Sequence, residues 1–257
     1  ALQESRDLVV HNLTHYITPY NIFEGSYRLF QTVEYWPEGT TFVSVVDPGV
    51  GSKRKSVVAL TNKNQYIVTP DNGTLSFIKK HVGIKAVREI SEVANRRANT
   101  EHSYTFHGRD VYAYTGAKLA SGHISFEEVG PELSVEHIVE IPTVETEVGS
   151  DFVKGAIDIL DVRFGSLWTS VTREEFYTLL PEFGDRFEVT IYNNDMLVYQ
   201  NQVTYGKSFA DVRIGQPLLY INSLYRVGLA INQGSFAKAY NVGVGQNWHI
   251  EIRRLVN

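Results

Sequence analysis

The chain has 257 residues, 43% of them hydrophobic and 21% charged, with a formal net charge of -5, a length that suits one large or two medium domains, with two as the starting expectation. The mixed-sign balance excludes a broad nucleic-acid footprint, which needs concentrated Lys and Arg, and no apolar run approaches the roughly 18 residues of a membrane span. Cysteine is absent, which removes disulfides, thiol nucleophiles and thiolate metal sites and is compatible with a reducing cytoplasm, the expected location.

The opening "ALQESRDLVV" carries neither the cationic segment nor the apolar stretch of a signal peptide, and the Asn12 and Asn72 sequons read as chance matches. Leu8 to Leu13 is predicted as a strand, and "PYNIFEGSYRLFQTVEYW" as a helix opened by Pro19. "TTFVSVV" and "SVVALT" follow as strands. "QYIVTPDNG" leads through Gly73 into a predicted helix over "TLSFIKKHV". Glu92 to Tyr104 is polar and reads as a loop, and a second helix is predicted after Arg109 through "DVYAYTGAKLASG". This alternation is the rhythm of an α/β sheet domain.

Residues 128 to 150 shift towards Glu, Pro and Gly, as an interdomain connection does. We place the boundary near 145, giving an N-terminal α/β domain over 1–145 and a second domain over 146–257. The second half carries short alternating segments, "DFVKGAIDILDV", "RFEVTIYNN", "MLVYQNQV", "QPLLYINS", "RVGLAIN" and "WHIEIRRLV", with one helix at "REEFYTLLPEF". Short strands separated by turn residues predict a small β-barrel or sandwich.

Three polar clusters interrupt the apolar pattern of the first half: "VDPGVGSKR" at 46 to 54, "TPDNG" at 69 to 73 and "TFHGRD" at 105 to 110. Each taken alone is ordinary turn chemistry. Two of them follow strands, where open α/β sheets place ligand sites, and together they supply a carboxylate, a guanidinium and an imidazole. Other candidates are weaker. His11 and His15 have the i, i+4 spacing of a helical metal pair, but their segment reads as a strand running into a Pro turn. "VGVGQN" at 242 to 247 lacks the Lys-Ser/Thr ending of a phosphate loop and reads as a turn, and no G-x-S-x-G elbow is present. No metal site is expected.

At these clusters the sequence resembles the S-adenosylmethionine hydroxide adenosyltransferases, which are similar to the fluorinase and chlorinase enzymes. "LTHYITPYNI", "VDPGVGSKR", "TPDNG" and "TFHGRD" carry the resemblance in the first half, "LDVRFGSLWTS" and "GLAINQGSFAKAY" in the second. The resemblance implies attack of water on C5′ of S-adenosylmethionine to give adenosine and methionine, with the catalytic signature falling on Asp47, Arg54 and His107. In the halogenases a Tyr stands at the place of Asp47, so the turn matches the hydrolytic branch. S-adenosylmethionine enters as substrate, and no cofactor is implied.

The same resemblance assigns substrate contacts to Tyr20, packing on the nucleoside, to Asp71 and Asn72 of the second cluster, and to Gly108, bordering the water pocket. It assigns Asp161 to the methionine ammonium, Phe209 to the adenine face and Asn232 to Ser235 to backbone contacts with the purine. Ser166 stands where the family usually has an Asn that reads adenine, and Leu224 follows Ser223 where the halogenases carry an Arg on the carboxylate. The family's opening strand and acidic loop have no counterpart ahead of Ala1 in this sequence. A homotrimer with sites between subunits is implied. A halide adenosyltransferase and a noncatalytic S-adenosylmethionine or adenosine binding module stay open as alternatives.

Overall fold

The computed structural model describes residues 1, 4–161 and 163–255. The chain divides into two compact units, Ala1–Ile141 and Pro142–Asn257. The first contains, in order, α1 (Ile22–Val33), β1 (Thr41–Val43), β2 (Ser56–Thr61), β3 (Tyr66–Pro70), α2 (Ser76–His81), β4 (Ile84–Glu89), α3 (Glu92–Asn95), α4 (Ala113–Ala120) and β5 (Glu132–Leu133). Its sheet has the order β1-β3-β2-β4-β5. β1 and β3 run parallel, and the other pairs are antiparallel.

"SVVALT" is nearly continuous in apolar residues because both faces of its strand are covered. Val57 and Ala59 pack on one side with Leu29 and Val33 of α1 and Ile78 of α2. Val58 points the other way and packs with Val111, Tyr112 and Leu119. α4 is reached through a π-helical turn, Gly108–Tyr112, an irregularity often found at functional positions.

Three predicted elements differ from the fold. No strand forms over Leu8 to Leu13, where Val9 and Val10 are exposed and have no partner strand among the described residues. A strand is held by its ladder, and local propensity alone does not make one. The first helix starts at Ile22 and not at Pro19, because Tyr20 has φ +68°. Asn21 then caps it by accepting from the Glu24 N–H. Within the expected loop from Glu92 to Tyr104, one short helix, α3, forms.

The second unit contains β6 (Glu147–Val148), β7 (Phe152–Leu160), β8 (Leu167–Thr172), α5 (Arg173–Tyr177), β9 (Arg186–Asn193), β10 (Met196–Tyr205), β11 (Pro217–Ile221), β12 (Arg226–Ile231), α6 (Phe236–Tyr240) and β13 (Trp248–Arg254). The strands follow the order β13-β9-β10-β11-β12-β8-β7-β6, and β13 also pairs with β7. That last pairing closes a seven-stranded barrel and leaves β6 outside it. Inward residues such as Ile157, Val171, Val189, Ile191, Leu229, Ile250 and Ile252 fill the interior. An α/β sheet domain followed by a small β-barrel is therefore the architecture. β8 was not among the strands read from the sequence. It lies inside "LDVRFGSLWTS", where the preceding turn residues obscure its alternation.

Candidate active site

The turn between β1 and β2 brings Asp47 and Arg54 together. The Val50 N–H bonds the Asp47 carbonyl at 3.3 Å, and the Ser52 N–H bonds the Gly49 carbonyl at 3.0 Å. Gly51 sits at φ +78°, and a Cβ there would lie 3.0 Å from the Tyr104 carbonyl oxygen. Only glycine meets both demands without strain. From outside the turn, Asn72 Nδ2 donates to the Val46 carbonyl at 2.9 Å, so the "TPDNG" cluster fastens the residue next to Asp47.

Across the turn, Arg54 Nε donates to Asp47 Oδ1 at 2.8 Å, and Nη2 donates to Oδ2 at 2.5 Å. The two side chains are 10% and 6% exposed respectively, and the bidentate geometry fixes both planes. Arg54 Nη1 donates to Ser56 Oγ at 2.9 Å, and Nη2 lies 3.0 Å from His107 Nδ1. His107 is buried and is the residue before the π-helical turn. The three residues, picked out from two of the clusters, thus meet at one guanidinium.

Four participants were not read from the sequence. Ser56 Oγ donates to Tyr112 Oη at 3.1 Å, and that phenol donates to Asp47 Oδ2 at 3.4 Å. Burial pushes the Tyr112 phenol far above its usual range, so it acts as a neutral donor. Arg96 Nη2 lies 3.0 Å from His107 Nε2, and Glu92 Oε2 accepts from Arg96 at 3.2 and 2.5 Å. Burial holds the His107 imidazole below its ordinary range, opposed by Glu92 and reinforced by Arg54 and Arg96. Ser56 and Tyr112 look like strand and helix core residues in sequence. Arg96 and Glu92 form an i, i+4 pair inside a stretch that reads as polar loop.

Asp71 does not join the Asp47–Arg54–His107 cluster directly. It lines a cleft of about 320 Å³ with Lys53, Arg54, Lys55 and His137, and its Oδ1 accepts the Val139 N–H at 3.0 Å. Burial pushes its carboxyl above the usual range, against the Val139 bond and Lys55. Asn72 is engaged in the turn as described. Tyr20 is 80% exposed and held in a left-handed backbone conformation, an arrangement that concentrates where a side chain is presented for a purpose. A Cβ on Gly108 would meet only Val45 Cγ1, at 3.6 Å.

In the barrel unit, Asp161 Oδ1 accepts the N–H groups of Arg163 and Phe164 at 3.1 and 3.3 Å, forming a tight loop. Gly165 of that loop lies against Ser235, which caps α6. Trp168 Nε1 donates to Tyr220 Oη at 3.0 Å. The Ser166 carbonyl accepts the Asp161 N–H at 2.8 Å, and the Phe209 ring lies 5.2 Å from the Tyr220 ring. Asn232 is tied to the Val212 carbonyl at 2.8 Å. Ser223 stands apart, in the exposed turn at the end of the β11–β12 pair opposite Asn232.

Among the described residues, no group of three His, Cys, Asp or Glu side chains could hold a metal ion. His15 pairs with Asn12 at 3.3 Å, and His11 packs edge-on to Trp36, so the suspected pair is otherwise engaged. No described helix is long and apolar enough to cross a membrane.

An α/β sheet followed by a closed barrel, with an Asp–Arg–His cluster at the sheet's turn, defines the class: the chain belongs to the SAM hydroxide adenosyltransferase family. The family's N-terminal domain matches residues 1–130, and its C-terminal domain matches residues 155–249. The chain is 35% identical over 171 residues to an (R)-S-adenosyl-L-methionine hydrolase of Methanocaldococcus jannaschii, a match that spans 66% of this chain and 57% of that protein. It is 26% identical to a fluorinase of Actinopolyspora mzabensis, over 94% of this chain and 87% of the fluorinase. The fold is similar to the crystal structure of an uncharacterized conserved protein from Thermotoga maritima, with a TM-score of 0.89 and 30% identity over 98% of this chain and 91% of that one.

Proposed function

We propose that this protein hydrolyses S-adenosyl-L-methionine to adenosine and L-methionine. The observation that carries the reading is the buried Asp47–Arg54 pair with His107 on the same guanidinium. Water attacks C5′, the C5′–S bond breaks, and its electron pair returns to sulfur as the neutral thioether of methionine. The sulfonium leaves readily, so the demand on the protein is to orient an oxygen nucleophile in line and to take its proton. Bulk water has a pKa of about 15.7. Arg54 favours an oxygen anion beside it, and Asp47 or His107 accepts the proton.

Similarity to a named S-adenosyl-L-methionine hydrolase supports the same reading. The fluorinase likeness keeps halide transfer as the competitor, and Asp47 argues against it, because a carboxylate repels a halide in the same turn. Tyr20, Asp71, Asn72, Gly108, Asp161, Ser166, Phe209, Ser223, Asn232 and Ser235 are proposed to contact the substrate. The assembly we propose is a homotrimer with sites between subunits, working in the cytoplasm; light scattering tests the trimer.

Incubation with S-adenosylmethionine in oxygen-18 water tests the reaction. Adenosine carrying the heavy oxygen, together with methionine, is the expected product. A chloride-dependent halogenated nucleoside overturns hydrolysis in favour of halide transfer. Saturable binding with no methionine release overturns catalysis altogether.

A further inference from the structure

His107 is held between two guanidinium groups. Arg54 Nη2 stands 3.0 Å from Nδ1, and Arg96 Nη2 stands 3.0 Å from Nε2. A guanidinium only donates hydrogen bonds, and a neutral imidazole has one N–H and one lone pair. The ring can therefore accept one of these bonds and must face the other nitrogen donor to donor. An imidazolium would face both that way. Neither arginine is free to turn aside. Arg54 is committed to Asp47 and Ser56. Arg96 is 8% exposed and bound to Glu92, and its Nη1 donates to the Thr100 and Ser103 carbonyls at 3.4 and 3.3 Å.

We infer that Arg96, latched by Glu92, is a positioning residue for the hydrolysis proposed above: it keeps the His107 ring neutral and fixes its plane from the side remote from Arg54. The charged groups facing the ring are Arg54 and Arg96, which oppose a second proton, and Asp47 and Glu92, which favour one. Burial is the largest influence on the ring and acts in the same direction as the two arginines. A ring that cannot hold a second proton leaves Asp47 to take the one that water gives up. His107 then acts on the nucleophile through Arg54, whose Nη2 its Nδ1 faces at 3.0 Å, and the carboxylate becomes a carboxylic acid until solvent removes its proton.

The inference rests on the hydrolytic reading, so the test needs one readout independent of turnover. In ligand-free protein with labelled histidine, with the His107 signal assigned through His107→Asn, NMR titration gives the midpoint of the ring. Arg96→Gln, and Arg96→Met as a second neutral variant that keeps the aliphatic stem, should move that midpoint up by about one pH unit, a tenfold change in proton affinity. Arg96→Lys, which keeps a cation, should restore it. The acid limb of kcat/KM should follow the same order. An unmoved midpoint in a folded neutral variant, with turnover intact in the wild type, overturns the role of Arg96 alone. Equal shifts in the Lys and neutral variants also overturn it, because packing and not charge would then be responsible. A wild type with no turnover overturns the functional reading instead.

Discussion

Asp47 and Arg54 are seven residues apart in the chain and meet through two parallel hydrogen bonds, so the turn between them has its geometry set at both ends by one ion pair. Removing one partner of a buried pair leaves an uncompensated charge and costs about 3–5 kcal/mol. Asp47→Ala should therefore lower the melting temperature as well as activity. Asp47→Asn keeps the shape but also leaves the Arg54 charge uncompensated, so it too should lose stability; at a temperature where it stays folded, kcat should fall by about 10²-fold or more, as for loss of a proton acceptor, while substrate affinity changes little. Calorimetric titration beside turnover measures the split. Unchanged kcat in Asp47→Asn removes Asp47 from the chemistry.

Tyr112 reaches the site through its hydroxyl, which joins Ser56 to Asp47, and through its ring, which lies 5.5 Å from Arg54 Cζ and packs in the core. Tyr112→Phe keeps the packing and should cost about 1 kcal/mol of stability, the net worth of a buried hydrogen bond. It should reduce kcat with KM held, because Asp47 loses a donor that fixes its orientation. Denaturant unfolding and steady-state kinetics check both statements.

The depressed His107 pKa also predicts how stability depends on pH. Below the reference value of 6.5, the unfolded chain binds a proton that the native ring resists, so the unfolded state holds more protons and stability rises with pH. The contribution is fully present above 6.5 and is lost as pH falls towards the lower native value. Thermal melts from neutral pH downward should show a decline that His107→Asn shares less steeply. Identical slopes would contradict the burial argument.

Asp71 has the opposite sign. Its native pKa lies above the reference 3.8, so its contribution is present below 3.8 and is lost as pH rises through the native value. Asp71→Asn keeps an oxygen to accept the Val139 N–H and removes the buried charge. The variant should be at least as stable as the wild type at neutral pH, with a flatter acid dependence in thermal melts.

Gly108 has room for a methyl group, the nearest contact being Val45 Cγ1 at 3.6 Å. Gly108→Ala should fold normally and gain up to about 1 kcal/mol from reduced unfolded-state freedom. If Gly108 borders the substrate pocket as proposed, KM should rise several-fold despite that gain. Unchanged KM removes it from the contact set.

Composition and patterning determined much of this protein. The alternation of strand and helix signals marked the first unit, and period-two segments marked the barrel, because burial on one or two faces writes a repeat into the sequence. Asp47, Arg54 and His107 were legible because charged and ring side chains in glycine-rich turns interrupt that repeat. What the tertiary structure alone decided was who meets them. Ser56 and Tyr112 carry the residue types of a strand and a helix core, and nothing local distinguishes a hydroxyl that points at Asp47 from one that does not. Arg96 and Glu92 lie in a stretch that reads as polar loop, and His107 lies eleven residues beyond Arg96. Closure of the barrel through β13 and β7 likewise joins segments far apart in the chain. Such contacts follow from packing between distant segments, whose register no local propensity encodes.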